Sequence, residues 1–216
     1  MDEQATIRPG EGDVLIVVDI QKDFLPGGAL AVPDGDAVIA PINRLANPFR
    51  HVVLTQDWHP AGHASFASSH PATAPFDTAD LPYGPQVLWP DHCVQGTPGA
   101  EISPDLHIPH AQLVIRKGHN AGIDSYSGFK EADRRTPTGL AGYLRERGFR
   151  RVFCAGLALD FCVAWTALDA AEAGFETFLI EDASRAIDTN GSLEKARADL
   201  EAAGVRMVDS THIRGA

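Results

Sequence analysis

The sequence predicts an α/β protein, a doubly wound three-layer α/β/α fold built on a six-stranded, mainly parallel sheet. Six short apolar segments, rich in β-branched residues, begin near positions 14, 52, 112, 152, 176 and 205. Segments with the helical spacing of apolar residues lie between most of them. This alternation is typical of a parallel sheet covered by helices on both faces, because parallel neighbours need a crossover connection.

The first strand is predicted over residues 13–20, because DVLIVVDI is a nearly continuous apolar run that suits a strand buried on both faces. Residues 36–47 follow as the first crossover helix, with Asp36 as the N-cap and Pro41 as an unexplained interruption. The second strand, over residues 51–59, ends in polar residues.

The remaining elements continue the same alternation. Strands are predicted over 111–118, 152–157, 175–182 and 205–210, and helices over 136–148, 160–173 and 190–204, each helix closed by a glycine at or just after its end. Residues 61–110 show no periodicity but contain many prolines, glycines and aromatic residues. A segment of this kind inside a compact domain predicts a folded functional loop that forms the wall of a pocket.

Length and charge limit the classes of function. A chain of 216 residues is expected to form one domain, with residues 1–12 as a flexible leader. The net charge of -11, without a basic stripe, argues against a nucleic-acid or membrane partner. The chain has no apolar run of roughly 20 residues and no signal-like N-terminus, and its three cysteines are far apart, so a cytoplasmic protein is expected. A homo-oligomer is left open.

A single cysteine, Cys162, lies at the turn between the fourth strand and the following helix. A thiol on the first turn of a helix faces unpaired backbone N–H groups and the positive end of the helix dipole, which favour the thiolate. The position suits a nucleophile, although a free cysteine is more often a small buried apolar residue. The backbone N–H groups around Ala158 and Cys162 are then expected to hold the oxyanion of a tetrahedral intermediate.

Two further charged residues end strands of the predicted sheet. Asp19 closes the first strand and Lys117 closes the third. Because the carboxyl ends of parallel strands meet at the edge where ligands bind, both side chains should lie near Cys162. Asp19 is expected to take the thiol proton and Lys117 to stabilise both anions. Taken singly, Asp19 is as readily a helix cap or a loop carboxylate, and Lys117 is more often a solvated strand end.

An Asp-x-His pair ends the second strand. Asp57 and His59 lie on one face of an extended segment, roughly 6.5 Å apart along it, and His63 and His92 follow later in the chain. A carboxylate combined with imidazoles suits one divalent transition metal ion, Zn, Fe or Mn, and an incomplete set leaves positions open for water. With nine histidines in the chain, a solvent-facing loop residue is the alternative for each one.

Six sequence blocks, in order, carry a resemblance to a known family: VDIQKDFLPGGAL, TQDWHPAGHASF, WPDHCVQGTPGAE, IRKG, DSYSGF and GLALDFCV. From about residue 13 to residue 208 the chain resembles the nicotinamidase branch of the isochorismatase-like cysteine hydrolases. The resemblance implies a catalytic triad of Asp19, Lys117 and Cys162. It implies a metal set of Asp57, His59 and His92, with His63 matching a histidine that binds the metal directly or through water in some members.

The resemblance also implies where the substrate lies. Contacts to the substrate ring fall on Phe24 and Trp89, and less directly on Tyr126, because the loop after Lys117 varies in length among members. A cis peptide bond is implied between Leu157 and Ala158.

As a function, the resemblance implies a metal-dependent amidase that hydrolyses nicotinamide to nicotinate and ammonia through a cysteine thioester, in NAD salvage, and that also cleaves pyrazinamide. One alternative is another isochorismatase-like amidohydrolase, acting on a carbamoyl compound or another small amide. The Asp-x-His set argues against it, because a bound ion has little to do in metal-free relatives. A non-catalytic α/β scaffold is a third interpretation, which the presence of all three triad residues disfavours.

Overall fold

The computed structural model describes residues 6–215 of the chain. Within these residues the core is a six-stranded sheet whose neighbouring strands are all parallel. Four-residue strands β3 (Thr78–Leu81) and β4 (Gly84–Val87) form a separate antiparallel hairpin. The sheet contains β1 (Asp13–Val18), β2 (Val52–Asp57), β5 (Leu113–Lys117), β6 (Arg151–Leu157), β7 (Glu176–Arg185) and β8 (Arg206–Val208), in the spatial order β5-β2-β1-β6-β7-β8.

Four helices cover the two faces of this sheet: α1 (Ile39–Ala46), α2 (Leu140–Glu146), α3 (Ala164–Glu172) and α4 (Ser192–Ala202). Side chains of β1 alternate between two apolar clusters. Leu15 and Val17 belong to the cluster that contains the buried face of α1, whereas Val14 and Ile16 belong to the cluster that contains α2, α3 and α4. The predicted three-layer, doubly wound architecture is therefore confirmed.

The first helix begins later than the sequence predicts. A 3-10 turn (Gly35–Val38) precedes α1, so Asp36 belongs to that turn, and no side chain caps α1. Pro41 is the third residue of α1, where the backbone N–H has no partner within the helix in any case. The predicted N-cap was wrong, and the apparent interruption at Pro41 is compatible with the first turn.

The beginning of the described chain is packed against its end. The N–H of Ile7 donates to the carbonyl of His212 at 2.8 Å, and the N–H of Arg214 donates to the carbonyl of Ile7 at 3.0 Å. The part of the predicted leader from residue 6 onward is therefore held by the fold, while residues 1–5 lie outside the described residues. Across the described chain, no helix combines the length and apolar character needed to cross a membrane.

A glycine in β6 is required by close backbone contact. Gly156 has a φ of 131°, and a Cβ at this position would lie 2.2 Å from the carbonyl oxygen of Val18. Replacing Gly156 with alanine is expected to lower the free energy of unfolding by about 2–4 kcal/mol, because both the positive φ and the overlap must be relieved. Denaturant unfolding of the variant measures this change.

Gly142, in α2, provides the matched control. A Cβ there meets no atom within 4 Å, and the residue is helical. Gly142→Ala should raise the free energy of unfolding by about 0.5–1 kcal/mol. Equal effects of the two substitutions would contradict the account of Gly156.

Candidate active site

The predicted triad lies at the carboxyl edge of the sheet. Asp19 directly follows β1, Lys117 is the last residue of β5, and Cys162 lies in a π-helical turn (Leu159–Val163) between β6 and α3. All three side chains are buried. The Nζ atom of Lys117 lies 2.9 Å from Oδ2 of Asp19 and 3.3 Å from Sγ of Cys162. The structure therefore brings the three predicted residues together around one ammonium group.

Lys117 is a buried cation with several acceptors. In addition to Asp19 and Cys162, its Nζ donates to Oδ1 of Asp57 at 3.0 Å and to the carbonyl of Ser125 at 2.9 Å. Burial alone would lower the pKa of Lys117, but the carboxylates of Asp19 and Asp57 outweigh burial and raise that pKa well above its usual value. The lysine is therefore protonated and links the nucleophile to both carboxylates.

Asp19 is held so that one carboxylate oxygen remains available. Its φ is 49°, and the hydroxyl of Thr55 donates to Oδ1 at 2.6 Å. Oδ2 has the Lys117 ammonium nearby but no hydrogen bond of regular geometry within the described residues. Burial raises the pKa of Asp19, and Lys117 offsets this only in part. A buried carboxylate with a raised pKa is a competent proton acceptor.

The thiol of Cys162 differs from the sequence-based expectation. Burial raises the pKa of Cys162 well above its usual value, and the opposing effect of Lys117 is smaller. The expectation that the helix start would favour the thiolate is therefore wrong for the resting site, because desolvation of the sulfur outweighs it. The resting residue is a neutral thiol, and a base must remove its proton before attack.

The turn that precedes the nucleophile has the backbone features that the family resemblance implies. The peptide bond between Leu157 and Ala158 is cis. The N–H groups of Phe161 and Val163 donate to the carbonyl of Ala158, at 3.1 and 3.0 Å, so these two amides are occupied. Ala158 and Cys162 line the same cavity. The assignment of their N–H groups to an oxyanion remains a prediction.

Asp57, His59 and His92 form a buried group with the geometry of a metal site. Their ligand atoms lie within 4.8 Å of one another. Oδ2 of Asp57 is 3.1 Å from Nε2 of His59 and 3.4 Å from Nε2 of His92, while its other oxygen contacts Lys117. Burial alone would raise the pKa of Asp57, but His59 and Lys117 lower it well below its usual value. The carboxylate is therefore ionised and available as a ligand.

The hydrogen bonds around the two histidines orient them for a cation. Nδ1 of His59 lies 2.9 Å from the carbonyl of Gly118, and Nδ1 of His92 lies 2.7 Å from the carbonyl of Pro90. A carbonyl only accepts, so each Nδ1 donates its proton away from the group, and each Nε2 faces the carboxylate of Asp57. The two Nε2 atoms and the carboxylate oxygen therefore lie together where a cation would be held. Imidazoles whose Nδ1 is fixed by a carbonyl are typical of metal-binding histidines.

Gly118 supports this arrangement sterically. It has a φ of 67°, and a Cβ on it would lie 2.5 Å from Cε1 of His59. Only glycine allows the backbone to approach the imidazole closely enough for its carbonyl to accept the proton on Nδ1. The glycine that ends the IRKG block therefore belongs to the support of the metal ligands.

His63 is close to this group but is engaged differently. Its Nδ1 lies 2.8 Å from the hydroxyl of Ser65, and its Nε2 lies 2.9 Å from the carbonyl of Asn120. Both ring nitrogens therefore have protein partners. The ligand atoms of His63, His59 and Asp124 lie within 4.8 Å of one another. This second buried set shares His59 with the first but does not include Asp57 or His92.

The three predicted substrate contacts line the cavity above the thiol. Phe24, Trp89 and Tyr126 all contribute to its wall. The indole N–H of Trp89 donates to the hydroxyl of Tyr126 at 2.9 Å, and the ring of Phe24 lies 5.5 Å from the ring of His92. The cavity is therefore lined by aromatic rings, by two of the candidate metal ligands and by the nucleophile.

Some lining residues were not identified from the sequence. Asp124, which is buried and hydrogen-bonded to Nε2 of Gln86 at 2.7 Å, lies in the DSYSGF block two residues before Tyr126, and its charge in that block was the available signal. Phe161 adjoins the nucleophile and meets Trp89 edge to face. Leu30 and Ile187 come from irregular segments, which gave no signal.

Comparison with known proteins agrees with this geometry. The model of the isochorismatase domain matches residues 13–212. A nicotinamidase of Acinetobacter baylyi is 58% identical over 199 residues, which cover 92% of this chain and 93% of the relative. A solved nicotinamidase/pyrazinamidase of Acinetobacter baumanii superposes with a TM-score of 0.93 at 58% identity, over 94% of this chain and 98% of the other.

Two further similar structures were solved as complexes. PnC1 of L. infantum in complex with nicotinate has a TM-score of 0.85 at 41% identity, over 98% of this chain and 100% of the other. The pyrazinamidase of Pyrococcus horikoshii in complex with zinc has a TM-score of 0.75 at 37% identity, over 92% of this chain and 99% of the other. The family predicted from the sequence is thus confirmed, and the chain belongs to the isochorismatase domain family.

Proposed function

We propose that this protein hydrolyses nicotinamide to nicotinate and ammonia, and cleaves pyrazinamide in the same way. The observation that carries the proposal is the buried ammonium of Lys117, which contacts a thiol, a candidate base and a candidate metal ligand beside an aromatic cavity. Support comes from relatives described as nicotinamidases and from the nicotinate complex of the L. infantum protein.

Acylation begins with proton transfer. The carboxylate of Asp19 takes the proton of the Cys162 thiol, and the sulfur attacks the amide carbon of the substrate. The backbone N–H groups of Ala158 and Cys162 stabilise the resulting oxyanion. Protonated Asp19 then gives its proton to the amide nitrogen, the C–N bond breaks, and ammonia leaves a thioester on Cys162.

Deacylation uses the same residues, with water in place of the thiol as the nucleophile. Asp19 takes a proton from water, and the water oxygen attacks the thioester carbon. The C–S bond breaks, the sulfur recovers a proton, and nicotinate is released. Throughout both steps Lys117 remains protonated and offsets the charge that moves between Asp19 and Cys162.

Asp57, His59 and His92 would hold one divalent ion, Zn, Fe or Mn. A bound ion would supply a Lewis acid beside the cavity, either for the pyridine nitrogen of the substrate or for a water molecule. Phe24, Trp89 and Tyr126 confine the substrate ring, and the indole N–H of Trp89 donates to the hydroxyl of Tyr126. His63 orders the neighbouring loop by contacting the carbonyl of Asn120.

Metal content gives a direct test. Protein purified without added metal is expected to carry about one equivalent of a divalent transition metal, and His92→Ala should lose most of it because one of three protein ligands is removed. His110→Ala is the matched control, since the one side-chain hydrogen bond of His110 among the described residues is to the carbonyl of Ala46, at 3.3 Å. Elemental analysis measures both. Equal metal content in the two variants would contradict the assigned ligands.

The substrate class is tested by ammonia release. Nicotinamide and pyrazinamide should both be cleaved by the metal-loaded protein, and nicotinate should be the acidic product of the first. A carbamoyl compound serves as the comparison substrate. Cleavage of the carbamoyl compound alone would favour another amidohydrolase of the same fold.

The proposal includes the setting of the reaction. The acidic charge of -11 and the free, buried state of the three cysteines suit a cytoplasmic enzyme in NAD salvage that takes a small molecule and binds no nucleic acid. Fractionation of cells, followed by the ammonia assay on each fraction, tests the location.

A further inference from the structure

Asp160 is a buried carboxylate that the mechanism above does not use. It is 4% exposed and lies in the π-helical turn, two residues before the nucleophile. No lysine or arginine of the described chain forms an ion pair with it. Such a charge is costly to bury unless strong hydrogen bonds compensate it.

Three donors from a distant segment provide that compensation. The N–H of Ile187 donates to Oδ1 of Asp160 at 3.0 Å, and the N–H of Asp188 donates to Oδ2 at 2.8 Å. The hydroxyl of Ser192 also donates to Oδ2, at 2.5 Å. We call residues 187–192, which lie after β7 and end at the first residue of α4, the connecting segment. Hydrogen bonds to an ionised carboxylate are stronger than neutral ones, so Asp160 is a firm attachment between this segment and the nucleophile turn.

Both segments that Asp160 joins contribute residues to the wall of the substrate cavity. On one side the turn carries Cys162, and it follows Ala158 directly. On the other side the connecting segment contributes Ile187 to the wall of the cavity. Asp188 has a φ of 53°, a conformation that needs local support outside glycine. The carboxylate of Asp160 therefore sets the distance between the attacking sulfur and one wall of the substrate cavity.

We propose that Asp160 is a positioning residue for amide hydrolysis, which fixes the nucleophile turn against the connecting segment. The proposal rests on the proposed function for its kinetic test. It assigns Asp160 no contact with the substrate and no proton transfer. Its effect is on the alignment of Cys162 with the amide carbon, and small misplacements of a reacting group reduce rates strongly.

The chain contains a chemically matched attachment away from the site. Oδ1 of Asp182, in β7, accepts from the N–H of Ser210 at 2.7 Å, and Oδ2 accepts from the hydroxyl of Ser210 at 2.5 Å. Neither residue lines the substrate cavity. Asp182 therefore has the same type of partners as Asp160, a backbone N–H and a serine hydroxyl, without the nucleophile.

The experiment compares Asp160→Asn with Asp182→Asn. Asparagine keeps the shape but turns one acceptor oxygen into a donor that faces an N–H or a hydroxyl. For nicotinamide, Asp160→Asn is expected to lower kcat by about 10- to 100-fold, whereas Asp182→Asn should keep kcat and KM within about twofold. Both variants should have a lower melting temperature and unchanged metal content. Equal kcat values for the two variants would overturn the proposal.

A second measurement does not depend on the substrate. The rate of alkylation of Cys162 by iodoacetamide, with the modified cysteine located by peptide mass analysis, reports on the turn itself. Alkylation should be several-fold faster in Asp160→Asn than in the wild type and unchanged in Asp182→Asn. If the wild type releases no ammonia from nicotinamide, the proposed function fails, and the alkylation rates still decide the role of Asp160.

A milder pair of variants covers the case in which Asp160→Asn does not fold. Ser192→Ala removes one donor to Asp160, and Ser210→Ala removes the corresponding donor to Asp182. Ser192→Ala should lower kcat and speed alkylation of Cys162 measurably, and Ser210→Ala should change neither. The same result in both serine variants would also overturn the proposal.

Discussion

Replacing Cys162 with alanine is expected to reduce kcat for amide hydrolysis by at least about 10⁴-fold, because no other group in the site can form the thioester. Among the described residues, Cys162 has the only sulfur that accepts a hydrogen bond from the Lys117 ammonium, at 3.3 Å. The metal ligands are untouched by the substitution. Metal content should therefore stay at the wild-type level while ammonia release falls to the background of the assay.

Cys154→Ala is the matched control for this variant. Cys154 is also a free and fully buried cysteine, in the middle of β6, but unlike Cys162 it does not line the substrate cavity. Its replacement should cost some stability and leave kcat close to the wild-type value. Ammonia release by the Cys162→Ala protein above a small fraction of wild type would exclude Cys162 as the nucleophile.

Replacing Lys117 with methionine is expected to have the largest effect on stability. Methionine nearly fills the same space but removes the one positive charge that Asp19 and Asp57 share. Breaking a buried ion pair by removing one partner typically costs about 3–5 kcal/mol, because the remaining charges are left uncompensated. The variant should also be inactive, since neither the proton acceptor nor the thiol retains its neighbouring cation.

Denaturant unfolding measures this change in free energy, with Lys195→Met as the control. Lys195 is exposed and pairs with Asp199 one helical turn away, a type of contact that contributes little. Its replacement should alter the free energy of unfolding by less than about 0.5 kcal/mol. A Lys117→Met protein as stable as the control variant would contradict the charge arrangement described for the site.

Most of the fold and of the site could be predicted from the sequence because the relevant residues end buried parallel strands. Runs such as DVLIVVDI stand out as apolar, so the polar residues after them, among them Asp19 and Lys117, are conspicuous. The order of strands along the chain then places them on one edge. Local pattern was sufficient for Asp19, Asp57 and Lys117, which adjoin strands, whereas Phe24 and Trp89 were assigned from the family resemblance.

The remaining features depend on tertiary contacts. The hairpin of β3 and β4 has strands of four residues, too short for alternation to be visible in the sequence. Ile187 lines the cavity from an irregular segment whose backbone donates to Asp160, a contact that no local pattern indicates. The pKa of Cys162 was expected in the wrong direction, since the helix start is a local feature whereas desolvation of the sulfur results from the packing of the whole site.

The strand order β5-β2-β1-β6 has a consequence for how activity is acquired during folding. Each of these four adjacent strands has one of the site residues Lys117, Asp57, Asp19 and Cys162 at or after its carboxyl end. Along the chain, however, Lys117 is 60 residues from Asp57 and 45 residues from Cys162. Such non-local pairings form slowly. A chain in which β5 has not yet joined the sheet has a nucleophile and two carboxylates without their common cation. Enzymatic turnover should consequently return last in refolding, after the helical signal has recovered.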